Sequence, residues 1–294
     1  MPVMNALFTE EQDSRSAISD ADFRRLSEFV SAQYGIMMPL TKKNLFIDRM
    51  QKRLPLVGMR SFKDYIDWVL DNKQSGEELI QFIDVVTTKE TDFFHEASHF
   101  EFLVQTALPE LIKSSGAGIR RDLMIWSAGC SSGEEPYTLA MVIKEFAHHY
   151  PGIDFRARVL ATDISSQALA TATDAVYDRE KAAPIPLGLK QKYLLKSRDP
   201  AQNLIRIVPE LRDMVKFRSL NVMDADFGLR ELMDIIFCRN LIIHFNRPAQ
   251  EDLVNKICRY LSPGGYLFLG HAENLNNLRV PVVPASATVY RMPP

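Results

Sequence analysis

Two carboxylates follow short apolar runs of the sequence, where an α/β sheet would place acidic groups for ligand binding. Glu134 comes after the run LMIWSAG, and Asp163 ends the run RVLATD. In sheets that bind adenosyl or dinucleotide ligands, an acid at the end of the second strand accepts hydrogen bonds from ribose hydroxyls, ~20 residues or more beyond the loop that follows the first strand. Asp163 meets that spacing, so the pair predicts a ribose-bearing ligand. A purely local role for Asp163 at the start of the next helix is the open alternative.

The loop before Glu134 consists of small residues, Gly129-Cys-Ser-Ser-Gly133. Small side chains let a ligand approach the backbone, and the helix that follows offers free N–H groups. Glu134 and Glu135 at the helix start would repel phosphate, so an amine-bearing ligand suits the loop better than a pyrophosphate. The local pattern leaves open a simple tight turn with acids that favour the helix dipole.

A second set of chemically active residues, His95-Glu-Ala-Ser-His99, matches the zinc-protease pattern HExxH. We interpret the match as accidental, because no further HxxGxxH ligand pattern follows and the segment lies outside the predicted sheet. The three cysteines are odd in number and show no CxxC spacing, so they predict neither a disulfide framework nor a structural zinc. We therefore expect no metal, and a reducing cytoplasm fits best.

The elements that must position these residues fall into two parts. Residues 1–18 form a polar tail, and residues 19–87 show four amphipathic helical patterns, the first with Ser19 as N-cap and Gly35 as C-cap. Residues 88–120 form a linker and a helix. From 121 to 294, apolar runs alternate with helical stretches, which predicts an α/β Rossmann-like domain on a largely parallel sheet. Breaks at about 190–221 predict a small antiparallel β insertion.

Composition excludes several classes of protein. With 46% hydrophobic residues, the chain can bury a core. Lys+Arg number 35 and Asp+Glu number 37, a formal net charge of −2, so the chain as a whole is not a general nucleic-acid binder. No run reaches the ~18 apolar residues that a membrane span needs, and the N-terminus lacks the pattern of a secretory signal.

The chain resembles the chemotaxis-receptor glutamate methyltransferases, the CheR family, from about residue 20 to its end. The resemblance rests on five long blocks in the family's order: TTKETDFFHEASHF, WSAGCSSGEEPYTLAM, ATDISSQAL, FCRNLIIHF and GGYLFLGHAENL. It implies a helical N-terminal domain before a class I S-adenosylmethionine-binding methyltransferase domain with a β insertion. It also implies methyl transfer to glutamate side chains on the cytoplasmic helices of chemoreceptors.

The resemblance also implies roles for single residues. Glu134 contacts the amino-acid end of the cofactor, Asp163 holds the ribose, and Gly129 and Gly133 shape the loop. Cofactor contacts are also implied in the interdomain segment, at Lys89, Thr91 and His95.

Later in the chain, the resemblance implies that Asn221 and Val222 border the adenine. Arg239 and Asn240 line the methionine moiety.

Three positions depart from the family's usual pattern. Lys89 replaces Asn in TTN, His95 replaces Arg in FFRE, and His244 replaces Tyr in the IYF block. The last two positions face the methyl-transfer site in the family, so His95 and His244 are our catalytic candidates. Histidine lacks the permanent charge and bidentate fork of arginine. A cofactor-binding signalling module with little turnover is therefore the alternative function.

The expected chemistry needs little from the protein besides alignment. A glutamate is already ionised at pH 7 and needs no general base to attack a sulfonium methyl group. Phe93, Phe94 and Phe245 could form a dry wall around the reaction, or could simply belong to the core.

A basic stripe offers a surface for the receptor. Lys42, Arg49 and Arg53 recur at helical spacing and could dock on an acidic receptor helix, or could form an ordinary solvated face. The turn KSRDPAQN of the β insertion lacks glycine, unlike peptide-binding members of the family, so we do not predict tethering to a receptor tail.

Overall fold

The computed structural model describes residues 18–71, 76–86, 91–199 and 201–294. The predicted tail, except for Ile18, and Lys89 lie outside these ranges. The chain divides into two units, residues 1–88 and 89–294. Within the described ranges, no helix combines the length and apolar character that crossing a membrane requires.

The first unit is built from four amphipathic helices. They are α1 (Asp20–Tyr34), α2 (Lys43–Arg53), α3 (Phe62–Asp71) and α4 (Gly76–Val86). The caps of α1 are as predicted: Ser19 Oγ accepts from the Asp22 N–H, and Gly35 ends the helix with φ 69°. Phe46 packs edge-on against Phe23 and Phe82 at 5.7 and 5.9 Å between ring centroids, which joins α1, α2 and α4 in one core.

The predicted basic stripe on this unit is partly neutralised. Lys42 is exposed and Arg49 is half-buried. Arg53 donates from Nε to Glu78 Oε1 at 3.0 Å. The stripe therefore presents less free positive charge than the sequence suggests.

The second unit alternates strands and helices. Its helices are α5 (Ala97–Phe102), α6 (Leu108–Ser115), α7 (Glu134–Ala147), α8 (Ser166–Asp174), α9 (Leu187–Tyr193), α10 (Pro209–Arg212) and α11 (Arg247–Cys258). Its strands are β1 (Leu123–Ala128), β2 (Ala157–Asp163), β3 (Val176–Asp178), β4 (Leu194–Lys196), β5 (Leu204–Ile207), β6 (Val215–Ser219), β7 (Met233–Cys238), β8 (Leu261–Leu269), β9 (Val283–Ser286) and β10 (Val289–Arg291).

The main sheet has the predicted α/β topology. Its strand order is β6-β2-β1-β7-β8-β10-β9, and the first five strands are parallel while β10 is antiparallel to β8. All six residues of β7 are buried, as expected for a central strand covered by helices on both faces. The order reverses at β1, between β2 and β7, and ligands of such sheets bind at the carboxyl ends beside this switch point.

The β insertion overlaps the predicted range but begins earlier and ends before the last predicted run. A small antiparallel sheet of order β3-β5-β4 spans residues 176–207, not 190–221. The run VKFRS forms β6, which pairs in parallel with β2 at the edge of the main sheet. The prediction was wrong for this run because a short apolar run does not indicate which strand it will pair with.

Candidate functional site

The predicted site residues follow four adjacent strands of the sheet. The small-residue loop follows β1, Asp163 ends β2, Asn221 follows β6, and Arg239 follows β7. Because these strands are parallel neighbours, their carboxyl ends meet at one edge of the sheet. The topology therefore brings together residues that lie far apart in the sequence.

The loop between β1 and α7 is held in an unusual backbone conformation. Gly129, Ser131 and Gly133 have φ of 80°, 47° and 98°. A Cβ at Gly133 would lie 2.9 Å from the Cβ of Ala172 and from the Tyr177 hydroxyl, so this position requires glycine for space as well as for conformation. The Gly129 N–H donates to Thr162 O at 2.8 Å, which fastens the loop to the end of β2.

Asp163 joins this loop to the next one. Its Oδ2 accepts from the Ser131 N–H at 2.8 Å, and its Oδ1 accepts from the Ser165 N–H at 2.9 Å. Ser165, not Asp163, caps α8, since its Oγ accepts from the Ala168 N–H. A carboxylate has about four acceptor positions, so these two hydrogen bonds do not by themselves exclude a ribose contact.

Glu134 is fully buried at the first position of α7. Ser132 Oγ lies 3.0 and 2.8 Å from its two carboxylate oxygens, and Lys181 Nζ lies 2.5 Å from Oε1. A buried carboxylate needs such partners, because an isolated one would carry a large desolvation cost. The position therefore binds an ammonium group in this structure, supplied by the protein itself.

The described residues fit an adenosyl amino acid as ligand. The buried Ser131 Oγ has no hydrogen-bond partner, which is unusual for a buried hydroxyl and provides a polar atom beside the loop for a ligand group. Asp163 offers acceptors for hydroxyls, and Glu134 offers an acceptor for an ammonium.

Arg239 is more deeply engaged than the sequence suggests. Its side chain is only 3% exposed and forms ion pairs with Glu96 Oε2 at 3.0 Å and Glu135 Oε2 at 3.2 Å. It also donates to the carbonyl oxygen of His95 at 2.7 Å. Arg239 thus braces the 95–96 segment against β7 and α7, in addition to any cofactor contact.

Several acidic side chains lie around Arg239: Glu96, Glu135 and Glu273. Burial raises the pKa of Glu135, opposed by Arg239 and the Ser127 hydroxyl. Burial also raises the pKa of Glu273, opposed by backbone N–H donors that include those of Gly270, Ile243 and Asn240. Burial would raise the pKa of Glu96 too, but the His271 N–H and Arg239 outweigh it and lower that pKa. A cation nearby would favour the charged forms of Glu135 and Glu273, whose pKa values burial raises.

The remaining predicted cofactor residues occupy varied environments. Asn221 Oδ1 accepts from the Met223 N–H at 3.0 Å, and Val222 is half-buried against the core cluster around Trp126. Asn240 is exposed with φ 56°, and its N–H donates to Glu273. These contacts fix the backbone after β6 and β7, which leaves the proposed adenine and methionine contacts as predictions.

The interdomain and catalytic candidates are only partly described. Thr91 is half-buried and His95 is exposed at the surface of the second unit. His244 ends the 3₁₀ turn Ile242–His244, and its side chain lies outside the described atoms. Phe93 and Phe245 are 1% and 4% exposed, and each belongs to a hydrophobic core cluster of the second unit. This favours core packing over a wall of the reaction site for both residues.

The HExxH segment does not form the protease geometry. Glu96 has φ 56° and α5 begins only at Ala97, so His95 and His99 do not share one helical face. Glu96 and His99 instead approach His271, with possible ligand atoms within 4.8 Å of one another. Glu96 Oε2 already has a protein partner there, since it lies 3.0 Å from Arg239 Nη2.

Sequence reasoning missed the partners that hold the site. Arg239 is paired with Glu96, the Asn240 N–H donates to Glu273, and Glu134 is paired with Lys181. The two members of each pair lie far apart in the sequence. Glu96 lies inside a recognised block and could have been found there. Nothing in the local pattern around Lys181 indicates its partner.

Comparison with known proteins gives matches over nearly the whole chain. The family model described as "CheR methyltransferase, SAM binding domain" matches residues 89–290, and "CheR methyltransferase, all-alpha domain" matches residues 21–87.

Curated relatives carry consistent names. A chemotaxis protein methyltransferase of Borreliella burgdorferi is 37% identical over 258 residues, which cover 88% of this chain and 89% of that protein. The one from Escherichia coli is 33% identical and covers 96% of this chain and 94% of its own length. Chemotaxis protein methyltransferase 2 of Pseudomonas aeruginosa is 34% identical, with 92% of each chain covered.

Proposed function

Because the chain belongs to the CheR methyltransferase family, we propose that it methylates glutamate side chains of chemoreceptors, as a protein-glutamate O-methyltransferase of chemotactic adaptation. Its cofactor is S-adenosylmethionine. The observation that carries the proposal is the placement of Asp163 at the end of β2 and of Glu134 at the start of α7, with an unpartnered buried hydroxyl in the loop before Glu134. The three cysteines are buried and free, which agrees with a cytoplasmic site of action.

The chemistry rests on alignment and charge. When bound, S-adenosylmethionine supplies an electrophilic methyl group on a positively charged sulfur. The buried carboxylates of Glu96 and Glu135 exceed the single guanidinium of Arg239, so the site favours a cation. A substrate glutamate is ionised at neutral pH and needs no base from the protein.

We infer that His95 and His244 bind the substrate carboxylate. An exposed imidazole at position 95 can donate one hydrogen bond to a carboxylate, where the family's usual arginine would donate two. The brace formed by Arg239 and the His95 carbonyl oxygen fixes the backbone at this position. The substitution therefore weakens substrate alignment more than cofactor binding.

The receptor-docking surface is assigned to the basic stripe of Lys42, Arg49 and Arg53. Positive charge on α2 would attract an acidic receptor helix and raise the association rate. Lys42, just before α2, is exposed, whereas Arg53 is paired with Glu78 and contributes less to this effect.

Methyl transfer to receptors tests the proposal directly. Purified protein is mixed with receptor-bearing membranes and S-adenosylmethionine labelled in the methyl group, and a single turnover is followed. We expect label on the receptor as an ester that releases methanol in base, and none with heat-unfolded protein. Tight cofactor binding without any base-labile label would replace the proposal with the signalling-module alternative.

A further inference from the structure

The ammonium position at Glu134 is filled by a side chain of the β insertion. Lys181 lies on the 3₁₀ turn Arg179–Ala182, directly after β3, and its Nζ contacts Glu134 Oε1. The Glu134 side chain is fully buried, whereas that of Lys181 is 40% exposed. One partner of the pair is therefore fixed in the protein, and the other ends a flexible chain at the surface.

The backbone around Lys181 is attached to the same loop by a second contact. The Tyr177 hydroxyl donates to Ser132 O at 2.8 Å, and the Tyr177 ring packs edge-on against Phe93 at 5.2 Å. This attachment keeps Lys181 within reach of Glu134 whether or not the ion pair is formed. Only the lysine side chain has to move for the pair to break.

We propose that Lys181 is a built-in competitor of the cofactor, which neutralises Glu134 in the ligand-free protein and must leave when the ligand's ammonium binds. The inference rests on the proposed function, in which Glu134 receives the amino-acid end of S-adenosylmethionine. A lysine ammonium and an α-ammonium are the same donor chemically, so they compete for the same carboxylate oxygen.

The physical reason for such a competitor is the burial of Glu134. An unpaired carboxylate at this depth would destabilise the ligand-free protein, so a protein cation is needed whenever the ligand is absent. A long, partly exposed lysine serves this purpose because its stem can stay against the protein while its charged end moves into water. The binding free energy of the ligand's ammonium is thereby reduced by the free energy of the pair it breaks.

Substitution of Lys181 tests the competition. Calorimetry compares S-adenosylhomocysteine, which carries the ammonium, with 5′-methylthioadenosine, which lacks it. In Lys181→Met we expect S-adenosylhomocysteine to bind more tightly, by roughly two- to five-fold as for a partly exposed ion pair, while the affinity for 5′-methylthioadenosine is unchanged. Lys190→Met is the matched control, since Lys190 is in the same insertion and donates to the Ala183 carbonyl oxygen; neither ligand's affinity should change.

A second variant keeps the test decisive if the methionine variant folds poorly. In Lys181→Arg, the guanidinium can donate two hydrogen bonds to the Glu134 carboxylate. S-adenosylhomocysteine should therefore bind this variant more weakly than it binds the natural protein. Weaker binding in Lys181→Met, or equal changes for both ligands, would show that Lys181 supports the ligand and would overturn the competition. If the natural protein bound neither ligand, the cofactor assignment would fail first and this inference with it.

Discussion

Asp163 is predicted to serve both the fold and the cofactor, and Asp163→Asn separates the two roles. One carboxylate oxygen accepts from the Ser131 N–H and the other from the Ser165 N–H, at 2.8 and 2.9 Å. An asparagine has only one oxygen, so one of these N–H groups would face the amide NH₂. Leaving a buried donor without an acceptor costs about 1–3 kcal/mol. Because Asp163 is only half-buried, we expect about 1–2 kcal/mol.

The effect on the ligand is larger than that on the fold. Ribose hydroxyls would lose a charged acceptor, and a hydrogen bond to a charged group contributes about 1.5–3 kcal/mol. The dissociation constant of S-adenosylhomocysteine should therefore rise by roughly 10- to 100-fold. Because 5′-methylthioadenosine carries the same ribose, its affinity should fall by the same factor.

Two measurements distinguish these roles. Calorimetry with both ligands reports the ribose contact, and hydrogen exchange at the Ser131 and Ser165 amides reports the local structure, with one amide exchanging roughly 10-fold faster. Asp178→Asn is the control, because Asp178 is an exposed aspartate at the end of β3. Faster exchange with unchanged affinity for both ligands would refute the ribose role and leave Asp163 as a structural residue.

Three further predictions concern catalysis, docking and stability. His95→Arg restores two donors for the substrate carboxylate, so turnover in the methyl-transfer assay should rise several-fold with little change in S-adenosylhomocysteine affinity; equal loss of both would refute our assignment of position 95. Lys42→Glu with Arg49→Glu should raise KM for receptor membranes, more at low salt than at high salt, without changing cofactor affinity; a KM independent of salt would exclude docking through this stripe. Burial, aided by Arg239, lowers the pKa of His99 from 6.5 to about 4. Between these values the unfolded chain binds more protons than the folded one, so the free energy of unfolding should fall as pH falls from 6.5 to 4, by at most ~3 kcal/mol. The same pH titration of His99→Gln should be flatter, and identical curves would contradict the buried neutral state.

The strand ends were predictable from the sequence because their signal is local. An apolar run followed by Gly129 and Gly133, or ending in Asp163, shows where a strand stops and a binding loop begins. Parallel pairing then brings such ends together without any knowledge of individual contacts. This rule accounts for the loops after β1, β2 and β7, whereas the loop after β6 was missed because its run was assigned to the β insertion.

The contacts that complete the site were not predictable in this way. Lys181 meets Glu134 across 47 residues of sequence, and Arg239 meets Glu96 across 143. Such pairs depend on where β3 and β7 lie in space, which local patterns do not encode. The HExxH match failed because Glu96 has a left-handed backbone and the helix begins only at Ala97, two residues after His95.

The structure of a complex with S-adenosylhomocysteine is the most direct test of the central claim. We predict that the ribose hydroxyls lie within hydrogen-bond distance of Asp163, and that the ammonium lies against Glu134 with Lys181 turned toward solvent. A ligand bound at another edge of the sheet, or a loop whose space stays closed at saturating ligand, would contradict the account.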